Sequence, residues 1–497
     1  MSLRDHFLNP VWVNGVQKLR PSHNVSPPKP ARGLVPTALD ESLHAVRCMN
    51  QLRSKTKSVQ EITPLIYTPT VGDACLQFSH IYRRPEGLVI ISYKDKGNIL
   101  KVLRNWPRID EGRIAVVTDG SRILGLGDLG LNGMPISIGK LSLYVAGAGI
   151  RPSSTIPICL DLGTNNQKFL EDPFYLGLRQ PRVPSVDMTA FMDEFMDAMR
   201  TVFPKLLIQF EDFSTDNAFL YLSRYRNRYP LFNDDIQGTG AVVLSGFLNA
   251  AKLSAQASGR PLEDQRILFF GAGSAGVGVA TQLMAFFRLQ GMSEEEARQR
   301  IWLVDSQGLI FDTRGPMAEH KKLFSRPDYN GPPMTDLTEI VKYVKPTALL
   351  GLSTIKNAFS QSVVETMSAI NPRPIIFPLS NPVIFASGSP FPEEEHAGRM
   401  LYPGQGNNMY IFPGLGLGAI LARASKVTDS MVEASSLGLA DSLTAEEKAL
   451  DMIYPRVERI REISEQIATK VIRAAQRAGV DQNTEIKDLW DDQLGNG

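Results

Sequence analysis

Cysteine, histidine and net charge are all in short supply. Only three cysteines, Cys48, Cys75 and Cys159, occur in 497 residues, and their spacing fits no zinc motif. So few thiols exclude a disulfide framework and point to a reducing compartment. The six histidines lie far apart, which removes a histidine-cluster metal site. Lysine plus arginine (53) balance aspartate plus glutamate (52), leaving a formal charge of +1. Without a basic excess there is nothing to displace counterions from nucleic acid or an acidic membrane. No apolar run reaches the roughly 18–20 residues that span a bilayer; the best, Ile411 to Ala422, is interrupted by glycine and proline. Low-complexity tracts are missing too. With 43% hydrophobic and 21% charged residues, a disordered or collagen-like chain is excluded. The length predicts about two to four packed units.

Met1 to Gly33 lacks the apolar core of a secretory signal. Arg4, Lys18, Arg20 and Arg32 faintly resemble a transit peptide, but Pro10, Pro21, Pro27, Pro28 and Pro30 break any amphipathic helix. The expectation is an irregular arm on a cytoplasmic protein, with the mitochondrial matrix as the alternative.

Periodicity predicts a helix over 37–60, from Leu39, Leu43, Val46, Met49 and Leu52. From Pro64 to about Ile150 the pattern becomes short apolar runs punctuated by glycine and proline. Leu88 to Ser92, Ile114 to Thr118 and Ile156 to Leu162 read as buried strands. Thr189 to Phe203 reads as a helix, Leu206 to Phe210 as a strand and Ala241 to Ala257 as a long apolar helix. Gly259 and Pro261 then mark the best domain boundary. Beyond it come the strand Arg266 to Phe270, a turn over Gly271 to Gly278, the helix Val279 to Leu289 and the strand Ile301 to Asp305. Strands at Ala348 to Gly351 and Pro374 to Phe377 complete a doubly wound pattern, and Asp429 to Ala478 is mostly helical. The fold class is α/β: a doubly wound Rossmann-type cofactor domain, an α/β N-terminal catalytic domain, and helical N- and C-terminal segments. The expected divisions are 1–63, 64–257, 258–440 and 441–497.

Gly271-Ala-Gly273-Ser274-Ala275-Gly276 fits G-x-G-x-x-G between a strand and a helix. Gly271 permits the tight turn, Gly273 lets backbone approach a pyrophosphate, and Gly276 lets helix and strand close-pack. Asp305, ending the next strand, is placed to accept from an adenosine ribose. Two other glycine runs are decoys. In Gly125-Leu-Gly127-Asp-Leu-Gly130, Gly133 and Pro135 interrupt the helix that should follow, and Gly414-Leu-Gly416-Leu-Gly418 lacks the spacing. Both read as glycines in loops.

Glu211-Asp212 follows an apolar strand and Asp234-Asp235 follows Phe232-Asn233. Adjacent acids are costly to bury unless a cation neutralises them. Either they are solvated loop acids or they hold a hard divalent ion, Mg²⁺ or Mn²⁺, which oxygen-only ligands suit.

Several phrases then carry a resemblance: Tyr67-Thr-Pro-Thr-Val-Gly72, Arg83-Arg-Pro-Glu-Gly87, Arg122-Ile-Leu-Gly-Leu-Gly-Asp128, Phe210-Glu-Asp-Phe213, Phe232-Asn-Asp-Asp-Ile-Gln-Gly-Thr239, Leu379-Ser-Asn-Pro382, Phe385-Ala-Ser-Gly-Ser-Pro390 and Pro403-Gly-Gln-Gly-Asn-Asn408. Together they resemble malic enzyme, the NAD(P)-dependent oxidative decarboxylase of L-malate, from about Gly33 to Ala475. The resemblance implies Glu211, Asp212 and Asp235 as metal ligands, Lys140 as general base and Tyr67 as general acid. It implies Asp234 as the partner orienting Lys140 or the metal, Arg122 as the carboxylate clamp, and Asn381, Asn407 and Asn408 as amides lining the substrate site. Asn381 would also reach the cofactor. Malate and pyruvate would be the ligands, and the family's habit implies a homo-oligomer, dimer or tetramer. A neutral Lys140 would take the hydroxyl proton, its pKa depressed by the nearby cation.

The choice of cofactor is divided. Asp305 favours the free ribose hydroxyl of NAD⁺. Ser306, Lys321 and Lys322 lie where the resemblance implies phosphate binding, which tilts the reading to NADP⁺. Two stretches, 57–61 and 382–385, are shorter than the family pattern. They leave a second reading, a catalytically impaired relative acting as a nucleotide- or subunit-binding protein. A plain Rossmann dehydrogenase is a third, and it leaves the acids and Tyr67 unexplained.

Overall fold

A computed structural model describes residues 63–82, 89–353, 358–379 and 399–483, with Ile355, 386–387 and 393–396. The predicted helix over 37–60, the phrase Arg83 to Gly87, the short stretches at 57–61 and 382–385, and Asn381 lie outside the described residues.

Two five-stranded sheets organise the chain. The first contains β1 (Val89–Ser92), β2 (Ile114–Thr118), β3 (Thr155–Asp161), β4 (Leu207–Phe210) and β5 (Leu231–Asn233), in the order β1-β3-β2-β4-β5. Every pairing is parallel. β2 is buried throughout, as a parallel strand covered on both faces must be. Its residues divide by alternation: Ile114 and Val116 join one apolar core, Ala115 and Val117 the other. The first core includes residues of α1 (Thr70–Ile81) and α2 (Met134–Ala148). The second includes Phe191 and Phe195 of α3 (Ser185–Val202) and Tyr221 and Tyr225 of α4 (Thr215–Tyr225).

The long helix α5 (Thr239–Ser258) leads into the second sheet, which contains β6 (Ile267–Phe270), β7 (Ile301–Asp305), β8 (Gly308–Leu309), β9 (Ala348–Gly351) and β10 (Ile375–Pro378). Its order is β10-β9-β6-β7-β8, parallel except for the antiparallel edge strand β8. The chain runs from β6 to β7 on one side and later returns to β9 on the other. The carboxyl end of β6 is therefore a topological switch point, where open α/β sheets bind ligands.

Three helices missed by the sequence reading position the site. α1 and α2 fall inside the stretch read as short runs. Gly133 and Pro135 do not stop α2, because Pro135 lies in its first turn, where a missing N–H costs nothing. The decoy Gly414 to Gly418 lies within α7 (Phe412–Leu421), not a loop. Its glycines allow close packing: a Cβ on Gly414 would come within 2.7 Å of Ile467, and one on Gly418 within 2.7 Å of Val471. Both contacts belong to α9 (Ile460–Arg477), which with α8 (Asp429–Asp441) closes the helical C-terminal part. α9 also reaches α2, through Arg461 Nε donating to the Ala146 carbonyl at 2.9 Å. The helix after the glycine-rich turn, α6 (Ser274–Arg288), begins well before the predicted Val279. Among the described residues no helix is long and apolar enough to cross a membrane.

Candidate active site

The acids leave the carboxyl ends of neighbouring strands. Glu211 and Asp212 follow β4, and Asp234 and Asp235 follow β5 in a π-helical turn, Asp234–Gly238. Such turns are rare and recur at functional sites. Gly238 is needed there, since a Cβ would fall 1.8 Å from Asp234 Oδ1. Asp212 has a φ of +55°, a strained conformation for a non-glycine residue. Three hydrogen bonds hold it: its N–H to Asp235 Oδ2 (2.8 Å), its Oδ2 from the Leu124 N–H (3.0 Å) and its carbonyl from the Arg122 N–H (3.2 Å).

One oxygen each from Glu211, Asp212 and Asp235 lies within 4.8 Å of the others. Burial pushes Glu211 and Asp212 well above the usual carboxylate range, with Asp235 adding to both. Asp235 is pushed up to about 6, by burial first, with Asp234 adding and Lys140 opposing. Crowded buried carboxylates with these shifts lack positive charge. Their oxygen-only donor set fits a hard divalent cation.

Lys140 projects from α2 into this cluster. Its Nζ lies 2.6 Å from Asp234 Oδ2 and 2.9 Å from Glu211 Oε1, beneath the rings of Phe412 (4.8 Å) and Tyr67 (5.3 Å). Burial works against its charge, but Asp234 and Glu211 outweigh it and hold the ammonium well above the ordinary lysine range. Without a cation beside it Lys140 is thus the charged partner of two acids; the expected neutral amine belongs to the site with its cation bound. Burial raises the Tyr67 hydroxyl, with Lys140 opposing, so it keeps its proton at neutral pH.

Arg122 stands beside the acids, donating from Nη1 to Thr215 Oγ1 at 2.8 Å. The loop carrying it is anchored at Asp128, which accepts from Arg182 at 2.7 and 2.8 Å; Gly125 and Gly130 stand at the ends of two short 3₁₀ turns on either side of Asp128. Asn408 donates to Asp234 Oδ2 (3.0 Å) and Thr239 Oγ1 (2.9 Å), so its amide steadies the Lys140 partner. Asn407 accepts from the Met409 N–H at 2.9 Å.

At the switch point Gly271 has a φ of +118°, and a Cβ there would meet the Leu352 carbonyl at 2.5 Å. A Cβ on Gly276 would meet the Gly271 carbonyl at 2.0 Å, whereas Gly273 faces open space. Ser274 and Ala275 open α6, giving the turn the free N–H groups and clearance that a pyrophosphate requires. Asp305 is neutralised: Arg314 grips it at 2.6 and 2.8 Å and Lys321 at 2.9 Å. Ser306 beside it is exposed. Of the two lysines named from the sequence, Lys321 faces Asp305, whereas Lys322 extends to Glu319 at 2.5 Å.

Sequence reasoning missed Arg314, Thr215, Tyr144 and Gln209. Periodicity held a signal for the last two, because Tyr144 falls one helical turn after Lys140 and Gln209 two strand positions before Glu211.

Comparison with known proteins agrees with this geometry. Residues 47–226 match the family model described as malic enzyme, N-terminal domain. Residues 236–384 and 382–476 match malic enzyme, NAD binding domain; the two stretches meet where the sequence is shorter than the family pattern. The chain is 47% identical over 475 residues to an NADP-dependent malic enzyme of Dictyostelium discoideum, covering 90% of this chain and 86% of that one. It is 43% identical to NADP-dependent malic enzyme 1 of Arabidopsis thaliana, covering 90% and 84%. Its fold is similar to the malic enzyme structures from Entamoeba histolytica (TM-score 0.56, 23% identity, 91% of this chain and 85% of that one) and Pyrococcus horikoshii (0.55, 24%, 86% of each).

Proposed function

The chain belongs to the malic enzyme family, and from that premise we propose that it converts L-malate to pyruvate and CO₂ with NADP⁺, using Mg²⁺ or Mn²⁺ at Glu211, Asp212 and Asp235. The observation that carries this reading is Lys140, buried 2.9 Å from one of those acids and beneath the Tyr67 ring. A base, an acid and a cation site thus share one pocket.

The metal, when bound, supplies Lewis-acid polarisation of the substrate oxygens. The nicotinamide supplies the acceptor for the hydride leaving C2. The remaining work falls to side chains. Arg122 holds a substrate carboxylate with its planar guanidinium. With a cation bound, Glu211 would serve that ion, which removes one of the two acids stabilising the ammonium; Lys140 would then release its proton to solvent as the ternary complex forms and, as the neutral amine, take the C2 hydroxyl proton. Loss of the carboxylate as CO₂ leaves its electron pair on the enolate of pyruvate. Tyr67 protonates C3 and recovers a proton from Lys140, so the hydroxyl proton is the one that in effect replaces CO₂ on carbon, and Lys140 is left as the neutral amine in which it began the turnover.

The neutralised Asp305 supports NADP⁺. Arg314 and Lys321 bring two positive charges to one carboxylate, which leaves a net cation for a 2′-phosphate. The reading as an impaired relative rests only on the two short stretches, and the described catalytic candidates stand together, which favours the active enzyme. Malate labelled at its C4 carboxylate tests the proposal. Labelled CO₂ should appear in step with reduced cofactor; oxidation without labelled CO₂ would mean a plain dehydrogenase.

A further inference from the structure

Glu211 has two oxygens, and each has its own partner. Oε1 faces Lys140 at 2.9 Å. Oε2 accepts from Gln209 Nε2 at 2.8 Å, and the other end of that amide, Oε1, accepts the Tyr144 hydroxyl at 2.5 Å. All of these groups are buried, with Gln209 and Tyr144 fully enclosed. The amide converts polarity: it takes an O–H from one side and gives an N–H to the carboxylate on the other.

The arrangement depends on a match of spacings. Lys140 and Tyr144 lie one turn apart on α2, a rise of about 6 Å. Gln209 in β4 and Glu211, the residue that follows the strand, lie two positions apart in the extended chain, about 6.6 Å, and so fall on the same side. The helix therefore presents its amine and hydroxyl in step with the acid and amide of the strand. Tyr144 is itself fixed from the C-terminal part of the chain. Its ring packs 5.0 Å from that of Phe412, and a Cβ on Gly416 would come within 2.5 Å of it.

We propose that Gln209, held by Tyr144, is a positioning residue that fixes the carboxylate plane of Glu211 and so sets the affinity of the metal site. This rests on the metal reading given above. Rotation of the carboxylate would break the Lys140 or the Gln209 contact, so Glu211 is oriented before any cation arrives. Outer partners of metal ligands typically account for 10- to 100-fold in affinity.

The test is Mn²⁺ binding to the full-length protein, followed by the electron paramagnetic resonance of free Mn²⁺ without substrate. Tyr144→Phe keeps the ring and its packing and removes only the hydroxyl. It should weaken Mn²⁺ by roughly 10-fold, and Gln209→Leu by roughly 10- to 100-fold, with NADP⁺ affinity unchanged; metal-free Tyr144→Phe should melt somewhat lower, because the buried Gln209 carbonyl loses its donor. A purely structural role would lower NADP⁺ affinity together with Mn²⁺ affinity. Parental Mn²⁺ affinity in Tyr144→Phe would overturn the proposal, whatever the fate of Gln209→Leu. Asp235→Asn reports separately on the metal reading: if it binds Mn²⁺ as the parent does, the site itself is misassigned.

Discussion

Lys140 and Asp234, 94 positions apart in sequence, meet in a 2.6 Å hydrogen bond that exposes neither side chain to solvent. The pair joins the helix α2 to the turn after β5, and it places the expected base among the expected metal ligands. A buried pair of this kind is weak evidence for stability but a common mark of function.

Lys140→Ala should abolish malate oxidation, with a loss of at least about 10²–10⁴-fold expected for a general base. Binding of Mn²⁺ and NADP⁺ should survive. The metal-free variant should melt lower than the parent, because Asp234 and Glu211 lose their counter-charge, and Mn²⁺ should restore much of the difference. Parental turnover in this variant would remove Lys140 from the mechanism.

The pH dependence follows from Asp235, pushed up to about 6. An acid with a raised folded pKa binds more protons folded than unfolded. The contribution of Asp235 to the stability of the metal-free protein is therefore lost as pH rises from about 4 to about 6. A cation needs the ionised acids, so Mn²⁺ binding strengthens over the same interval. Melting curves should show a larger Mn²⁺ shift near pH 7.5 than near pH 5. An equal shift at both would contradict the protonation assigned to this site.

Lys321→Ala tests the adenosine end. Loss of a charge-assisted contact, about 1.5–3 kcal/mol, should raise KM for NADP⁺ by roughly 10- to 100-fold and leave KM for NAD⁺ nearly unchanged. Lys322→Ala, which removes a lysine paired with Glu319, should leave both constants as they are. The opposite pattern would assign that contact to Lys322.

Gly414→Ala tests the helix contact between α7 and α9. With Ile467 2.7 Å from the added carbon, overpacking should cost about 1–3 kcal/mol, read as a lower denaturant midpoint. Unchanged stability would mean that the two helices have room to separate.

The second sheet was legible because its strands are short apolar runs bounded by turn residues, and β7 and β9 fall where the pattern placed them. Helices α2 and α7 were not. Their glycines read as breakers, yet Gly139 serves close packing, with Val71 2.9 Å from a Cβ built on it. Composition alone cannot tell a glycine that ends a helix from one that lets another segment approach it. The acids were visible as adjacent pairs, but only the folded chain brings Glu211, Asp212 and Asp235 within one cation's reach. That Glu211 as well as Asp234 faces Lys140 was not legible, because which carboxylates surround an amine is a tertiary property.

The most direct measurement is the appearance of reduced nicotinamide when purified protein meets L-malate, in parallel wells of NADP⁺ and NAD⁺, with Mn²⁺ or with a chelator. The account predicts a rise that needs Mn²⁺ and is faster with NADP⁺. No rise from folded protein in any well, or an equal rise in the presence of chelator, would contradict a metal-dependent oxidation built around Lys140 and its neighbouring acids.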